Sequence, residues 1–185
     1  MRHLRILFLA LLSACSAAPP PIVAPRPPAW TDSVVLMLTN EARCSAVLIT
    51  PRTALTARHC TETALRGVLV RGTHEYAIES VVQYADRDVS VLSLAEDIPG
   101  AYAHEAQNLP RAGDRAIVVG FGCDYPARGV RSLTSLGRSS AGLTFAGRVC
   151  GGDSGGGVFN EDGDLVGITT ARNGSSTLAF GAGLQ

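Results

Sequence analysis

Apolar residues in this chain come in short runs rather than long stripes. From residue 33 onward, brief segments rich in Val, Ile, Leu and Thr alternate with Gly, Pro, Asn and Asp. Branched side chains pack well on a pleated surface, so such runs bounded by turn residues read as strands. The pattern predicts strands over 34–39, 44–49, 53–57, 67–71, 76–84 and 89–94. After a connector over 99–114, a second set is predicted over 115–121, 130–137, 143–146, 157–160, 165–170 and 177–180. Asp162-Gly163, between two of these, is a hairpin signal. No 3.6-residue periodicity is sustained anywhere, so long helices are not expected. Twelve short strands in two groups of six imply an all-β fold of two antiparallel barrels, over about 30–98 and about 112–185.

The first 29 residues follow different rules. A basic start (Arg2, His3, Arg5) accompanies a short apolar core from Leu4 to Leu12, too short to span a bilayer but suited to a secretory leader over residues 1–14. Leu12-Ser13-Ala14-Cys15 resembles the bacterial lipobox. The resemblance implies cleavage before Cys15, lipidation of its thiol and a membrane attachment, with Ser16 implying sorting to the outer membrane. An ordinary leader with an incidental cysteine is the alternative. Residues 17–29 contain Pro19, Pro20, Pro21, Pro25, Pro27 and Pro28, which favour an extended, semi-rigid tether over 15–29. The folded domain is therefore expected over 30–185, long enough for one domain with a real core.

Composition narrows the classes further. Hydrophobic residues make up 46% of the chain and the formal charge is zero. All sixteen basic residues are arginine, which are scattered rather than clustered, and aromatics are few, so a nucleic-acid footprint is missing. Of five cysteines, four remain if Cys15 carries lipid; four allow three pairings in an oxidising compartment. Zinc competes for them, but neither CxxC nor HxxxH spacing occurs, and no metal or other cofactor is expected.

The candidate chemistry centres on Cys150-Gly151-Gly152-Asp153-Ser154-Gly155-Gly156-Gly157. Five glycines among eight residues exclude a helix or strand interior but suit a tight loop whose amides turn inward around one serine. Acyl transfer needs that arrangement: a nucleophilic oxygen beside N–H groups that receive the charge of a tetrahedral intermediate. Serine is a poor nucleophile alone and requires a base and an acid. His59, in Leu55-Thr56-Ala57-Arg58-His59-Cys60, and Asp88, opening the apolar run Val89-Ser90-Val91-Leu92, are the candidates. Asp86 competes with Asp88. His74 and His104 stand among polar residues without a motif and read as solvated surface groups. A flexible or calcium-type turn is the bland alternative for the glycine loop.

Cys44, the TARHC segment, Asp88-Val89-Ser90-Val91-Leu92, Gly120-Phe121-Gly122 and Gly152-Asp153-Ser154-Gly155-Gly156, in that order, resemble a trypsin/chymotrypsin-type serine protease. The His, Asp, Ser order itself separates this family from other triad folds. The resemblance implies a chymotrypsin-like fold and a peptide or protein substrate. Ser154 would be the nucleophile, His59 the general base and acid, Asp88 the orienting carboxylate, and the N–H groups of Gly152 and Ser154 the oxyanion hole. It also implies a Cys44–Cys60 disulfide, which leaves Cys123 to pair with Cys150.

Departures from the family are equally informative. No Ile-Val-Gly-Gly activation sequence precedes Val34, so Asp153 requires another partner; an arginine is the obvious type. Arg58 stands where the family prefers alanine, and Thr170-Ala171-Arg172 replaces the substrate-pairing Ser-Trp-Gly. The short path from Gly122 to Ser154 implies an abbreviated second barrel. Where the family places the floor of its primary specificity pocket stands Arg148, which would favour an acidic or small side chain over lysine or arginine. A second placement stays open for Arg148: pointing away, or paired with Asp153. Together these readings give a secreted, lipid-anchored serine endopeptidase, with substrate contacts at Arg148, Thr170 and Arg172. The alternative is a protease-like envelope binding or scaffold protein without catalysis. A lipase or esterase fits less well, because the GxSxG elbow of those enzymes opens a helix.

Overall fold

In the computed structural model of the protein, strand β1 (Val34–Thr39) opens with four buried residues in succession because both of its faces are covered. Val35 and Met37 enter one core and Val34 another. The same division recurs on β2 (Arg43–Thr50), where Ala46 and Leu48 oppose Val47, and on β3 (Thr53–Thr56), where Ala54 opposes Leu55. A strand lying between two cores loses the usual in–out alternation, so the sequence shows near-continuous apolar runs. The structure describes residues 28–62, 67–139, 142–173 and 176–180, with side chains left out at 171–173 and 176–180. The leader, Cys15 and the tether as far as residue 27 lie outside the described residues.

The remaining strands are β4 (Gly67–Arg71), β5 (His74–Gln83), β6 (Ser90–Leu94), β7 (Arg115–Gly120), β8 (Gly129–Ser139), β9 (Gly142–Ala146), β10 (Gly157–Phe159), β11 (Leu165–Asn173) and β12 (Ser176–Phe180). The first six close into a barrel in the order β1-β2-β3-β6-β5-β4, with β4 pairing back onto β1. The second six close as β10-β11-β12-β9-β8-β7, with β7 pairing back onto β10. The two antiparallel barrels of the chymotrypsin-like fold are thus the ones the strand pattern implied. The economy of the second barrel falls on β10, only three residues long, and not on strand number.

Some boundaries differ from those expected. β5 starts at His74 and β11 runs on to Asn173. Two 3₁₀ turns, Ala29–Ser33 and Arg58–Cys60, had no signature in the apolar pattern, since a turn of three to five residues is too short to leave a period.

Between the barrels lies a third cluster. Val34, Val47 and Leu55 of the first barrel meet Val119, Phe159, Leu165 and Ile168 of the second. Trp30, from the first 3₁₀ turn, packs on it with its ring centroid 4.7 Å from that of Phe159. The Asp162-Gly163 hairpin abuts the same indole. Gly163 has φ +91°, and a Cβ there would fall 2.5 Å from Trp30 Cδ1. Full burial of a large apolar side chain is worth about 1.5–3 kcal/mol, and Trp30, partly buried, gains a share of that. The segment ahead of β1 therefore helps hold the second barrel against the first. Among the described residues no helix is long and apolar enough to cross a membrane.

Candidate active site

The register of the first barrel brings His59 and Asp88 together. Antiparallel pairing sets Thr56, the last residue of β3, opposite Ser90, the first of β6. Residues just past the one and just before the other must therefore be neighbours. The 3₁₀ turn Arg58–Cys60 then lifts His59 outward, its side chain 41% exposed, while Cys60 turns in to bond Cys44. Asp88 holds His59 twice: its Oδ2 lies 2.7 Å from Nδ1, and its Oδ1 accepts the His59 amide N–H at 2.9 Å. An imidazole gripped through Nδ1–H by a carboxylate presents the Nε2 lone pair outward, the form a general base needs.

Electrostatics agree with that tautomer. Hydrogen bonding to Asp88 raises the His59 pKa above its ordinary value, against the opposing pull of burial. For Asp88, burial is the largest influence and pushes upward. The hydrogen bonds from His59, with the charges of His59 and Arg58, together outweigh it and hold the carboxyl below its usual range. Asp86 is occupied elsewhere, since Arg87 bonds both of its oxygens. Arg58, a departure from the family pattern, spans the site's back. It pairs with Glu62 at 3.1 Å and donates to the carbonyls of Tyr84 and Ala85 at 2.9 and 3.2 Å, tying the histidine turn to the loop that carries Asp88.

Ser154 comes from the second barrel, on the loop before β10, and is carried to the first by Ser45. The Ser45 amide donates to the Ser154 carbonyl at 2.8 Å, and its buried hydroxyl donates to the Gly152 carbonyl at 2.8 Å while accepting from the Phe121 amide at 2.9 Å. Cys60 Sγ lies 3.9 Å from the Ser154 carbonyl, so the serine sits beside the histidine turn. His59 and the Ser154 hydroxyl share no hydrogen bond here; in free enzymes that contact is often long and tightens with substrate. Among the described residues, the N–H groups of Gly152 and Ser154 have no acceptor. Two unengaged amides flanking Asp153, one of them the serine's own, are the donors an oxyanion requires. Glycine is obligatory at two points in the loop. Gly152 has φ +102°, and Gly155 has φ +81° with the Ser45 carbonyl 2.1 Å from where a Cβ would stand.

Asp153 is fully buried and fully engaged. It accepts from the amides of Gly122 and Cys150, both at 2.8 Å, and from the guanidinium of Arg131 at 2.5 Å. Arg131, on β8, is itself held by Asp124 at 2.6 Å and donates to the Arg148 carbonyl. The open question of the Asp153 partner is thereby answered by Arg131 and not by Arg148. The Cys123–Cys150 disulfide closes the same loop from the other side. Cys123, Cys150 and Asp153 lie close enough to suggest a metal site, but both sulfurs are spent on each other and the carboxylate on Arg131.

The other expected positions are scattered around this centre. The side chain of Arg148 is exposed. Thr170 is buried at a break in the β11–β12 ladder. The side chain of Arg172 lies outside the described residues. His74, paired with Glu96, and His104 are exposed, as expected of surface histidines. Sequence reasoning missed Ser45 and Arg131. A serine in an apolar strand and an arginine in a polar-alternating one carry no local signal of a partner 107 or 22 residues away.

Two β-barrels that present an acid–imidazole pair to a serine on a glycine loop define a peptidase architecture, and comparison with known proteins agrees. Residues 44–168 match the family described as trypsin-like peptidase domain, and the chain belongs to that family. An uncharacterized peptidase of Corynebacterium glutamicum is 27% identical over 194 residues, covering 86% of this chain and 69% of that protein. Exfoliative toxin A of Staphylococcus aureus is 33% identical over 86 residues, 46% of this chain and 30% of the toxin. Among solved structures, the active form of the Rv3671c protease from M. tuberculosis superposes with a TM-score of 0.74 at 19% identity, covering 94% of this chain and 90% of that one. The serine endoprotease from Yersinia pestis gives 0.71 at 17%, covering 86% and 65%. These structural likenesses establish the fold. The protein is a peptidase, and its two disulfides point to an exported or extracellular setting.

Proposed function

We propose that the protein is an exported serine endopeptidase, tethered to the bacterial envelope through a lipidated Cys15, with residues 1–14 as leader, 15–29 as tether and 30–185 as the protease domain. The observation that carries the catalytic part is the doubly bonded His59–Asp88 pair standing beside a serine whose neighbouring amides are unengaged. Ser154 attacks the scissile carbonyl while His59 Nε2 takes its proton. The N–H groups of Gly152 and Ser154 receive the developing charge, and one such donor is typically worth about 3 kcal/mol. His59 then protonates the leaving amine, Asp88 stabilising the imidazolium meanwhile. Water repeats the sequence on the acyl-enzyme.

Arg131 supplies the positive charge that Asp153 needs, so the loop is held by a residue of the barrel itself and activity does not wait on a freed N-terminus. On the acyl side, the backbone at Thr170 with Arg148 and Arg172 contacts substrate, and the two arginines disfavour a basic residue before the scissile bond. Ser154→Ala and His59→Ala should each abolish hydrolysis of a peptide library while leaving the fold intact by circular dichroism. Hydrolysis that survives Ser154→Ala unchanged would show that another group is the nucleophile.

A further inference from the structure

Beside the unengaged amides stands a cation that the proposed triad does not use. Arg43, the exposed first residue of β2, lies with its guanidinium carbon 4.0 Å from the centroid of the Tyr125 ring. Its Nε is 3.2 Å from the point that a Cβ on Gly152 would occupy. Among the described residues Arg43 has no ion-pair partner. Asp124 and Asp153, the acids beside Tyr125 and Gly152 in the chain, are both taken by Arg131. A guanidinium is always charged and offers a planar fork of donors suited to a carboxylate. Stacking on an aromatic face restrains the side chain before any ligand arrives, which lowers the entropy lost on binding.

The side of the site on which Arg43 stands follows from the chain. Arg43 adjoins Cys44, Cys44 is bonded to Cys60, and Cys60 adjoins His59. His59 is the group that delivers a proton to the departing amine, so the leaving half of a peptide lies along this edge, whereas the acyl half lies toward β11. We propose that Arg43 forms a carboxylate subsite for the segment following the scissile bond. Preferred peptides carry Asp or Glu one or two residues beyond that bond, or end there in a free carboxylate. This inference deepens the serine-peptidase reading and rests on it.

The test uses a cleaved sequence taken from a peptide library and built into matched quenched peptides. All share the acyl half and carry Glu, Gln or Arg after the scissile bond, with amidated C-termini; a Gln peptide truncated there as the free acid completes the set. At low salt kcat/KM should be at least about fivefold higher for Glu than for Gln, and lower again for Arg. A preference for the truncated free acid in place of internal Glu identifies the terminal carboxylate as the ligand within the same subsite. Arg43→Gln should erase the preference and Arg43→Glu reverse it, while Arg43→Lys keeps its sign. A parent enzyme that favours neither internal Glu nor the free acid over amidated Gln, or a carboxylate preference that persists in Arg43→Gln, overturns the subsite. A fluorophosphonate carries no leaving-side peptide, so its reaction with the parent separates the two ideas. Labelled Ser154 without carboxylate preference sinks the subsite alone, and unlabelled Ser154 sinks the serine reading beneath it.

Discussion

Replacing Arg131 by methionine removes the cation from a carboxylate that has no water to fall back on. Asp153 is 0% exposed, and Arg131 is one of three donors to it, with the amides of Gly122 and Cys150. Breaking a buried pair by deleting one partner costs about 3–5 kcal/mol. The two surviving amide bonds, each worth about 1.5–3 kcal/mol to a charged acceptor, place the expected loss near the lower end. A loss of about 3 kcal/mol lowers Tm by about 6–12 °C in a domain of this size. Because Asp153 separates Gly152 from Ser154, the same change should loosen the oxyanion donors and cut kcat by up to about 10²-fold. Asp153→Asn removes the charge that Arg131 answers. The double variant should therefore recover at least about 1 kcal/mol relative to the sum of the single changes. Urea unfolding of the four proteins, with peptide hydrolysis measured alongside, gives both numbers. An Arg131→Met protein within about 0.5 kcal/mol of the parent and equally active would refute the clamp.

Four further outcomes can be measured. Asp88 holds the His59 pKa above its ordinary value, so the acid limb of kcat/KM should lie above about 6.5. Asp88→Asn should move that limb to lower pH and reduce the rate by about four orders of magnitude, and a limb that stays in place would contradict the assigned orientation. The same pair makes stability pH-dependent. The His59 contribution is present below its ordinary pKa and lost as pH rises through the raised value. The Asp88 contribution is present above the ordinary carboxylate value and lost as pH falls through the lowered one. Gly155→Ala should lower Tm sharply or prevent folding, since its Cβ would stand 2.1 Å from the Ser45 carbonyl at φ +81°; a normal melting curve would show that the loop has another course. The proposed lipid anchor on Cys15 has its own test: Cys15→Ser should release the protein from membranes in fractionated cells, and continued sedimentation with membranes would remove the anchor from the proposal.

The sequence made some of this legible and hid the rest for physical reasons. Strand positions could be read because β1, β2 and β3 sit between two cores and bury residues of both parities. The glycine loop could be read because only glycine tolerates the close approaches at Gly152 and Gly155. Asp88 was chosen over Asp86 for opening the apolar strand, and Arg87 engages Asp86 while His59 engages Asp88. Arg58, in sequence a departure from the family pattern, braces the histidine turn against the Asp88 loop. That role was invisible because its acceptors are backbone carbonyls, which every residue carries. Arg131 was hidden among sixteen arginines of one composition. Its selection depends on the β7–β8 register, which sets Arg131 opposite Val118 and within reach of Asp153.

Ser154 is proposed to be an activated nucleophile in a formed oxyanion site. Incubation of the full-length protein with a fluorophosphonate, followed by intact mass and peptide mapping, tests it without any knowledge of the substrate. One adduct per chain is expected, located on Ser154, lost in His59→Ala and slowed in Arg131→Met. An unmodified Ser154 in folded, disulfide-intact protein would contradict it and leave a protease fold that binds rather than cuts.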